Sequence, residues 1–272
     1  MEEQILRFYL RVFSFLLLFL IFLFYIFLIK EIKLKDEFFL IEKNQSYKDI
    51  IYKNLNTQII DSIFYKFLLK VIMINNIKIH YGKFEVANEN NFVDLIKIIT
   101  SPSNYFEKIT IIEGWSKYDL NNLVKDHFSD LEDLEYNEVL ANTYYFNYGT
   151  SFKDLKYKMK ESLKLIKKKY KDNKLLKKYS FNEILIIGSL LEREGLDYLD
   201  KKKIYSVIIN RLNKGMKLQI DATVIYSLTD GRRKLDRKLN YGDLKIEHKF
   251  NTYHVNGLPP QPISYVGLKT IE

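Results

Sequence analysis

Residues 12–29 run without a charged side chain, mostly Phe, Leu and Ile, whereas the positions after them mix apolar and charged residues at short periods. An α-helix rises about 1.5 Å per residue, so this run and its flanks reach across a hydrocarbon core. The pattern predicts an uncleaved membrane-spanning helix over 12–30, behind a short segment 1–11. A removable leader fits less well. The run exceeds an ordinary leader's apolar centre, and Lys30, Glu31 and Lys33 follow it without a small-x-small site. Arg7 and Arg11 precede the run while Lys30, Lys33 and Lys35 follow it, so the basic flanks slightly oppose an outward-facing body and leave orientation open.

Beyond the anchor, helix starts are marked by Ser46, Ser116, Ser151 and Ser180. Each stands three residues before an acid, namely Asp49, Asp119, Asp154 and Glu183, which is the capping-box spacing. Two boxes follow β-like runs, 38–42 and 109–113, giving a weak repeat of strand, turn and helix. An apolar helix near 60–72 and a strand near 77–86 lie between them. The elements predict an α+β fold: a small α+β module over 37–105, then a larger α+β domain over 106–272. In the last third, Ser180 opens a helix over 181–194 that Gly195 ends. Asp200 is expected to cap a second helix running to Lys214, and Asp221 a third running to Leu228. Gly257-Leu258-Pro259-Pro260 reads as a rigid turn.

Charge adds a choice of partners. The 272-residue chain carries a formal +9 with a pI near 9.2. Its densest basic run, Lys153 to Lys178, interleaves Lys with Leu155, Met159, Leu163, Ile166 and Tyr170 at helical spacing. That is the pattern of a solvated helix face rather than a nucleic-acid stripe. A basic surface also suits anionic lipid or an anionic wall polymer. With no Cys, disulfides and thiolate metal sites are excluded.

Candidate chemistry narrows to acids. His80, His127, His248 and His254 show no metal-ligand spacing, and no nucleophile elbow, zincin or phosphate-loop motif occurs, so no metal or cofactor is expected. Glu192 and Glu194 end the helix 181–194, whose preceding residues are apolar nearly all round, so it is expected to be buried. A carboxylate there must be paired, or its pKa must rise, and a raised pKa suits a general acid for a glycosidic oxygen. Gly188 and Ser189, one turn before Glu192, are expected to leave space for a ligand.

The stretch from Glu183 to Leu228 reads EILIIGSLLEREGLDYLDKKKIYSVIINRLNKGMKLQIDATVIYSL. It resembles the signature region of the endolytic murein transglycosylases, the MltG or YceG-like family, with patterns near "ASIVEKE", "FINRL" and "GM-LQ-D-TVIYG". Ile112-Glu113-Gly114-Trp115 is similar to the family's "IPEGW" and Ala141-Asn142-Thr143-Tyr144 to "PDTY". Phe250-Asn251-Thr252-Tyr253 and Gly257-Leu258-Pro259-Pro260 are similar to "YNTY" and "GLPP". The matches keep their order along most of the chain after the anchor.

The resemblance implies a lyase acting on peptidoglycan glycan strands. Such an enzyme cuts the β-1,4 bond between N-acetylmuramic acid and N-acetylglucosamine within nascent strands, leaving 1,6-anhydro ends and limiting strand length. It implies a single-pass protein of the bacterial cytoplasmic (inner) membrane, with 1–11 cytoplasmic and the body outside. Residues 37–105 would form a LysM-like module and 106–272 the catalytic domain. Membrane lipid and peptidoglycan synthases become candidate partners, and nucleic acid is not one. Glu192, aligned with the first acid of "EKE", would be the catalytic acid and base. Asn210, Arg211, Gln219, Asp221 and Asn251 would hold sugar hydroxyls and acetamido groups. Asp221 as helix cap, Arg211 as an acid's partner and Asn251 as a turn residue are their structural alternatives. Glu113 reads as structural, and Trp115 as core or as a sugar-stacking ring.

The chain departs from the family pattern at Ile220, Ala222 and Gln261, and it ends at Glu272 where members usually run on. An open edge is therefore expected near 258–271. Two other readings stay in play: a catalytically impaired glycan-binding or scaffold protein, and a muramidase in which Asp221 activates water.

The anchor can be tested directly. Carbonate-washed membranes should retain the protein, and N-terminal sequencing should find residues 12–29 still attached. A soluble form beginning after Lys30 would overturn the anchor.

Overall fold

The computed structural model describes residues 2–75, 77–87, 90–171 and 178–272. It falls into two compact units, Met1–Glu107 with Asn147–Gly149, and Lys108–Phe146 with Thr150–Glu272. Six residues of the basic run 153–178, numbers 172–177, lie outside the described residues.

The first unit opens with helix α1 (Glu2–Ile29). Its stretch Gln4–Ile29 has a mean hydropathy of 3.1 and its most apolar window is not buried in protein. One N-terminal helix is thus long and apolar enough to cross a membrane. Where α1 ends, Phe24 and Phe27 pack on Phe64 at ring distances of 5.3 and 4.8 Å.

A small antiparallel sheet follows. Strand β1 (Phe39–Ile41) pairs with β2 (Gly82–Phe84), Phe39 facing Phe84 and Ile41 facing Gly82. Both are shorter than the expected runs 38–42 and 77–86; ahead of β2, His80 gives its N–H to Ile99 instead of to a strand. Helices α2 (Tyr47–Asn54) and α3 (Ile59–Ile74) lie between the strands, and α4 (Phe92–Ile99) follows them. Asn54 clamps α2 to β1. Its side-chain amide donates to the Leu40 and Ile50 carbonyls, each at 2.8 Å, and its oxygen accepts the Leu40 N–H at 2.6 Å. The core around this clamp includes Tyr65 stacked on Phe92 at 4.3 Å. Burial pushes the Tyr65 hydroxyl up to about 12.

The second unit carries the larger core. Strands β3 (Phe106–Thr110) and β4 (Thr143–Asn147) bond to each other. Among the described residues, five helices follow or intervene: α5 (Lys117–Val124), α6 (Phe152–Lys169), α7 (Phe181–Glu194), α8 (Tyr198–Asn213) and α9 (Asp221–Thr229). A 3-10 turn at Asp243–Lys245 and the short α10 (Leu268–Ile271) complete it.

The four serine caps form as the spacing requires: each hydroxyl accepts the N–H three residues on. Ser116 and Ser180 close reciprocal boxes with Asp119 and Glu183, and the Ser180 hydrogen bonds hold the Glu183 carboxyl below its usual range. Two expected caps shift. Asp197, not Asp200, caps α8, and Asp200 is the residue whose N–H it accepts. Helix α9 starts after Ile220, with Asp221 as its first residue and its carboxylate turned to another partner. The strand expected over 109–113 stops at Thr110, because Gly114 at φ +78° turns the chain inward.

That inward turn meets the end of the chain. The stretch Ile263–Gly267 runs beside α7 and the 111–115 turn. Ile263 N–H donates to the Ser189 hydroxyl, and the Ser264 hydroxyl donates to the Ser189 carbonyl, both at 3.0 Å. Gly114 N–H reaches the Tyr265 carbonyl at 2.9 Å, Tyr265 N–H the Trp115 carbonyl at 3.0 Å, and Ala141 N–H the Val266 carbonyl at 2.8 Å. Ile263, Ser264, Tyr265, Val266 and Ile271 are all buried. Where an open edge is expected near 258–271, the stretch 263–267 instead has backbone partners on three sides.

Gly188 is what lets Val266 approach. A Cβ at this position would fall 2.7 Å from Val266 Cγ1, inside a core where neither side can yield. Gly188→Ala should therefore destabilise the protein by about 1–2 kcal/mol, overpacking outweighing the better helix propensity of Ala. The double variant with Val266→Ala should lose less than the sum of the two single changes. Chemical denaturation of the four proteins checks this, and strict additivity would refute the contact.

Candidate active site

Helix α7 ends in two acids with opposite fates. Successive residues turn about 100° around a helix, so Glu192 and Glu194 point in nearly opposite directions. The Glu192 side chain is 2% exposed and ion-paired to Lys201 of α8 at 2.5 Å. Its other oxygen accepts the Gly267 N–H at 3.2 Å. Lys201 also donates to Thr270 and lies 3.8 Å from Glu113. Glu113 in turn packs over Gly267, the position where a Cβ would strike its carboxylate. Glu192 therefore joins α7, α8 and the final segment. The space expected beside Gly188 and Ser189 is filled: Val266 occupies the first, and Ser189, fully buried, spends its hydroxyl on Ile186 and Ile263.

Glu194 stands at an accessible rim, yet its surroundings are dry enough to change its acidity. Burial raises its carboxyl above the usual range; the Ala222 N–H draws it down, the Asp221 charge raises it again and Arg193 opposes. Asp221 and Ala222 are the first residues of α9, so the start of that helix faces Glu194. The Tyr253 hydroxyl donates to Asp221 at 2.6 Å. This bond, then burial and the charges of Asp221 and Glu194, push the phenol up to about 12 against Arg211, keeping it a donor. Arg193 and Asp221 also border a cavity of about 650 Å³ that extends along α9 to residues 231–239.

The expected sugar-holding residues divide. Asp221 sits in this cluster. Arg211 is near enough to act on Tyr253 but gives a guanidinium N–H to the Leu218 carbonyl at 2.5 Å, bracing the loop before α9. Gln219 is exposed with a left-handed backbone, φ +53°, a strained state for a residue with a side chain. Asn210 is exposed on α8. Asn251 is fully buried, and both of its amide hydrogens are spent inside the protein. Its amide donates to the Leu244 and Ile246 carbonyls at 3.0 and 2.7 Å, and its oxygen accepts the Tyr253 N–H at 2.9 Å. These bonds match the turn-residue alternative, since a buried amide must meet its partners inside the protein.

Sequence reasoning missed Arg193, Tyr253 and the threonine pair that sets the α9 terminus. Thr223 and Thr252, both fully buried, share a hydrogen bond of 2.9 Å, and Ile220 N–H donates to Thr252 Oγ1 at 2.9 Å. Their signal was the pairing of "DAT" with "NTY", two segments that gain meaning only once they touch. Trp115 packs against the main core.

The chain is similar to the endolytic murein transglycosylase of Bacillus subtilis (strain 168), 40% identical over 131 residues, which are 48% of this chain and 35% of that protein. It is similar to the endolytic murein transglycosylase of Streptococcus pneumoniae (serotype 2, strain D39), 35% identical over 101 residues, 35% of this chain and 18% of that protein. The matched stretches thus span about a third or less of these relatives. A crystal structure of a YceG-like protein from Listeria monocytogenes superposes with a TM-score of 0.53 at 26% identity, over 86% of this chain and 87% of that one. The family described as YceG-like matches residues 39–272, and the chain belongs to that family.

Proposed function

We propose that this chain is a membrane-anchored endolytic lytic transglycosylase of peptidoglycan, and that Glu194 rather than Glu192 is its acid and base. The observation that carries the assignment is the contrast between the two carboxyls. Glu192 is enclosed and spent on Lys201 and Gly267. Glu194 is accessible, its carboxyl is raised by burial, and its neighbours Arg193, Asp221 and Ala222 line a cavity large enough for a ligand. The sequence pattern alone had favoured Glu192; burial and pairing are the reasons to move the role by two residues.

In this reading the protonated Glu194 gives its proton to the bridging oxygen as the muramyl C1–O bond breaks. The C6 hydroxyl of the same sugar then bonds to C1 and returns its proton to Glu194. No water enters, and the product ends in a 1,6-anhydro ring. One carboxyl serves both steps, unlike hydrolases that place two at set separations. Because the nucleophile belongs to the substrate, holding the ring in position supplies part of the rate. Asp221, Arg211, Gln219 and Asn210 are the groups within this region that can position hydroxyl and acetamido groups. The family membership and the names of the relatives support the substrate class.

The unburied helix α1 supports a single-pass anchor, and a murein substrate puts the body on the outer side of the membrane. The first unit, with its β1-α2-α3-β2 order and its own core, is the segment proposed as the LysM-like, glycan-contacting module. Synthases that extrude new strands are its natural neighbours.

Two variants separate the carboxyls. Glu194→Gln should lower release of anhydro-ended fragments from purified sacculi by about 10²–10⁴-fold, the usual share of a positioned acid-base group. The sign of its effect on stability follows from the raised pKa. Ionising Glu194 costs the folded state, so the parent loses this contribution as pH rises through the raised value. The variant should therefore melt like the parent below the usual carboxylate range and no lower than the parent at neutral pH. Glu192→Gln should instead cost on the order of 3 kcal/mol, because it leaves Lys201 without its buried partner. Full activity in the Glu194 variant would remove the assignment, and reducing ends in place of anhydro ends would make the enzyme a hydrolase.

A further inference from the structure

The 650 Å³ cavity beside Asp221 is lined on its far side by the segment 231–239, which supplies Arg233, Lys234, Arg237 and Lys238, and Arg193 enters from α7. Its acids are already engaged. Asp119 accepts the Ser116 N–H and hydroxyl at 3.0 and 2.7 Å, and Asp221 accepts the Tyr253 hydroxyl. Arg237 is neutralised by a two-pronged pair with Asp243, which fixes the segment's conformation. The rest keep their charge. Arg233 is held by the Leu228 carbonyl at 2.8 Å, Lys234 lies 5.7 Å from the Tyr118 ring centre, and Arg193 donates to the Gly114 carbonyl at 3.1 Å. Among the described residues no salt bridge takes up Arg233, Lys234 or Lys238. Arg193, Arg233 and Lys234, whose contacts go to neutral partners, and the exposed Lys238 give the cavity a cationic wall suited to an anion.

Sugar rings do not require this charge, because the N-acetylated residues of a glycan strand bring hydroxyl and amide groups. We propose that the cavity is a subsite for the acidic peptide stem carried by a muramyl residue, with Arg233, Lys234 and Lys238 meeting its carboxylates. This rests on the proposed murein substrate. The strand would cross the Glu194 rim while a stem hangs into the basic wall. The enzyme would then distinguish peptide-bearing strands from stripped ones.

The test replaces Arg233, Lys234 and Lys238 together by Gln in the full chain, in detergent, with a thermal melt to confirm folding. Parent and variant are compared at low and high salt on two substrates: strands bearing stems, and amidase-stripped strands, whose only carboxylate is the lactyl group held close to the muramyl ring. The parent should favour stem-bearing strands. The variant should lose about tenfold or more on them at low salt, the summed effect of three exposed charge contacts, and change less than about threefold on stripped strands. The parent's preference should also shrink as salt rises. Equal losses on both substrates, or no loss on either, would overturn the subsite.

Binding of a soluble muramyl-tetrapeptide, followed by calorimetry, keeps this separate from the activity. If the parent cleaves neither strand, the transglycosylase reading fails, yet binding that weakens about tenfold in the variant still supports the subsite. No muramyl-tetrapeptide binding, or binding matched by inorganic phosphate, would reduce the cavity to an unspecific anion surface and refute it.

Discussion

A carboxylate taken out of water must be paired, and that requirement at Glu192 organises the second unit. Its two oxygens reach Lys201 of α8 and the backbone N–H of Gly267, so one side chain joins two helices to the last segment of the chain. Removing either partner would strand a charge in a dry setting, which costs far more than a surface contact. The tie also fixes the rotation of α7 about its axis. With Glu192 facing inward, Glu194 is turned about 200° away, to the rim where α9 begins.

Small and polar residues serve close approach rather than open space in this region. Gly188 admits Val266, Gly114 lies against the Glu192 carbonyl, and Ser189 binds two residues of the returning segment. The buried Thr223–Thr252 pair and the spent amide of Asn251 lock the start of α9 to the 250–253 turn. A network with its polar groups satisfied is rigid. It holds Asp221 and Tyr253 where they modify Glu194, and it absorbs the left-handed backbone at Gln219.

The environment of Glu194 thus joins opposing influences. Burial and Asp221 favour its protonated form, while the Ala222 N–H and Arg193 favour the ionised one. A carboxyl between such influences can give up a proton and take one back, which a single acid-base group must do within one cycle. Along the same cavity the character changes from this balanced cluster to an excess of cations over 231–239. In the proposed reading, chemistry and recognition of charge lie next to each other on α9.

Local signals in the sequence determined much of this. The uncharged run 12–29 forms the apolar part of α1, which begins earlier at Glu2, and its length and apolarity need no neighbours to be read. The serines at 46, 116, 151 and 180 fix four helix starts, because a cap acts on an amide only three residues away. The ordered motifs from Ile112 to Pro260 marked the segments that meet around the site. Tertiary contacts decided the rest. The pattern points to Glu192, through the small residues one turn before it and its alignment with the first acid of "EKE", although both acids end the same apolar helix. What separates them is a lysine on the next helix and an amide seventy-five residues on. Asn251 looked free to bind sugar until its carbonyl partners at 244 and 246 closed around it. Pairing and burial are properties of a site's whole surroundings, and those form only when distant parts of the chain pack together.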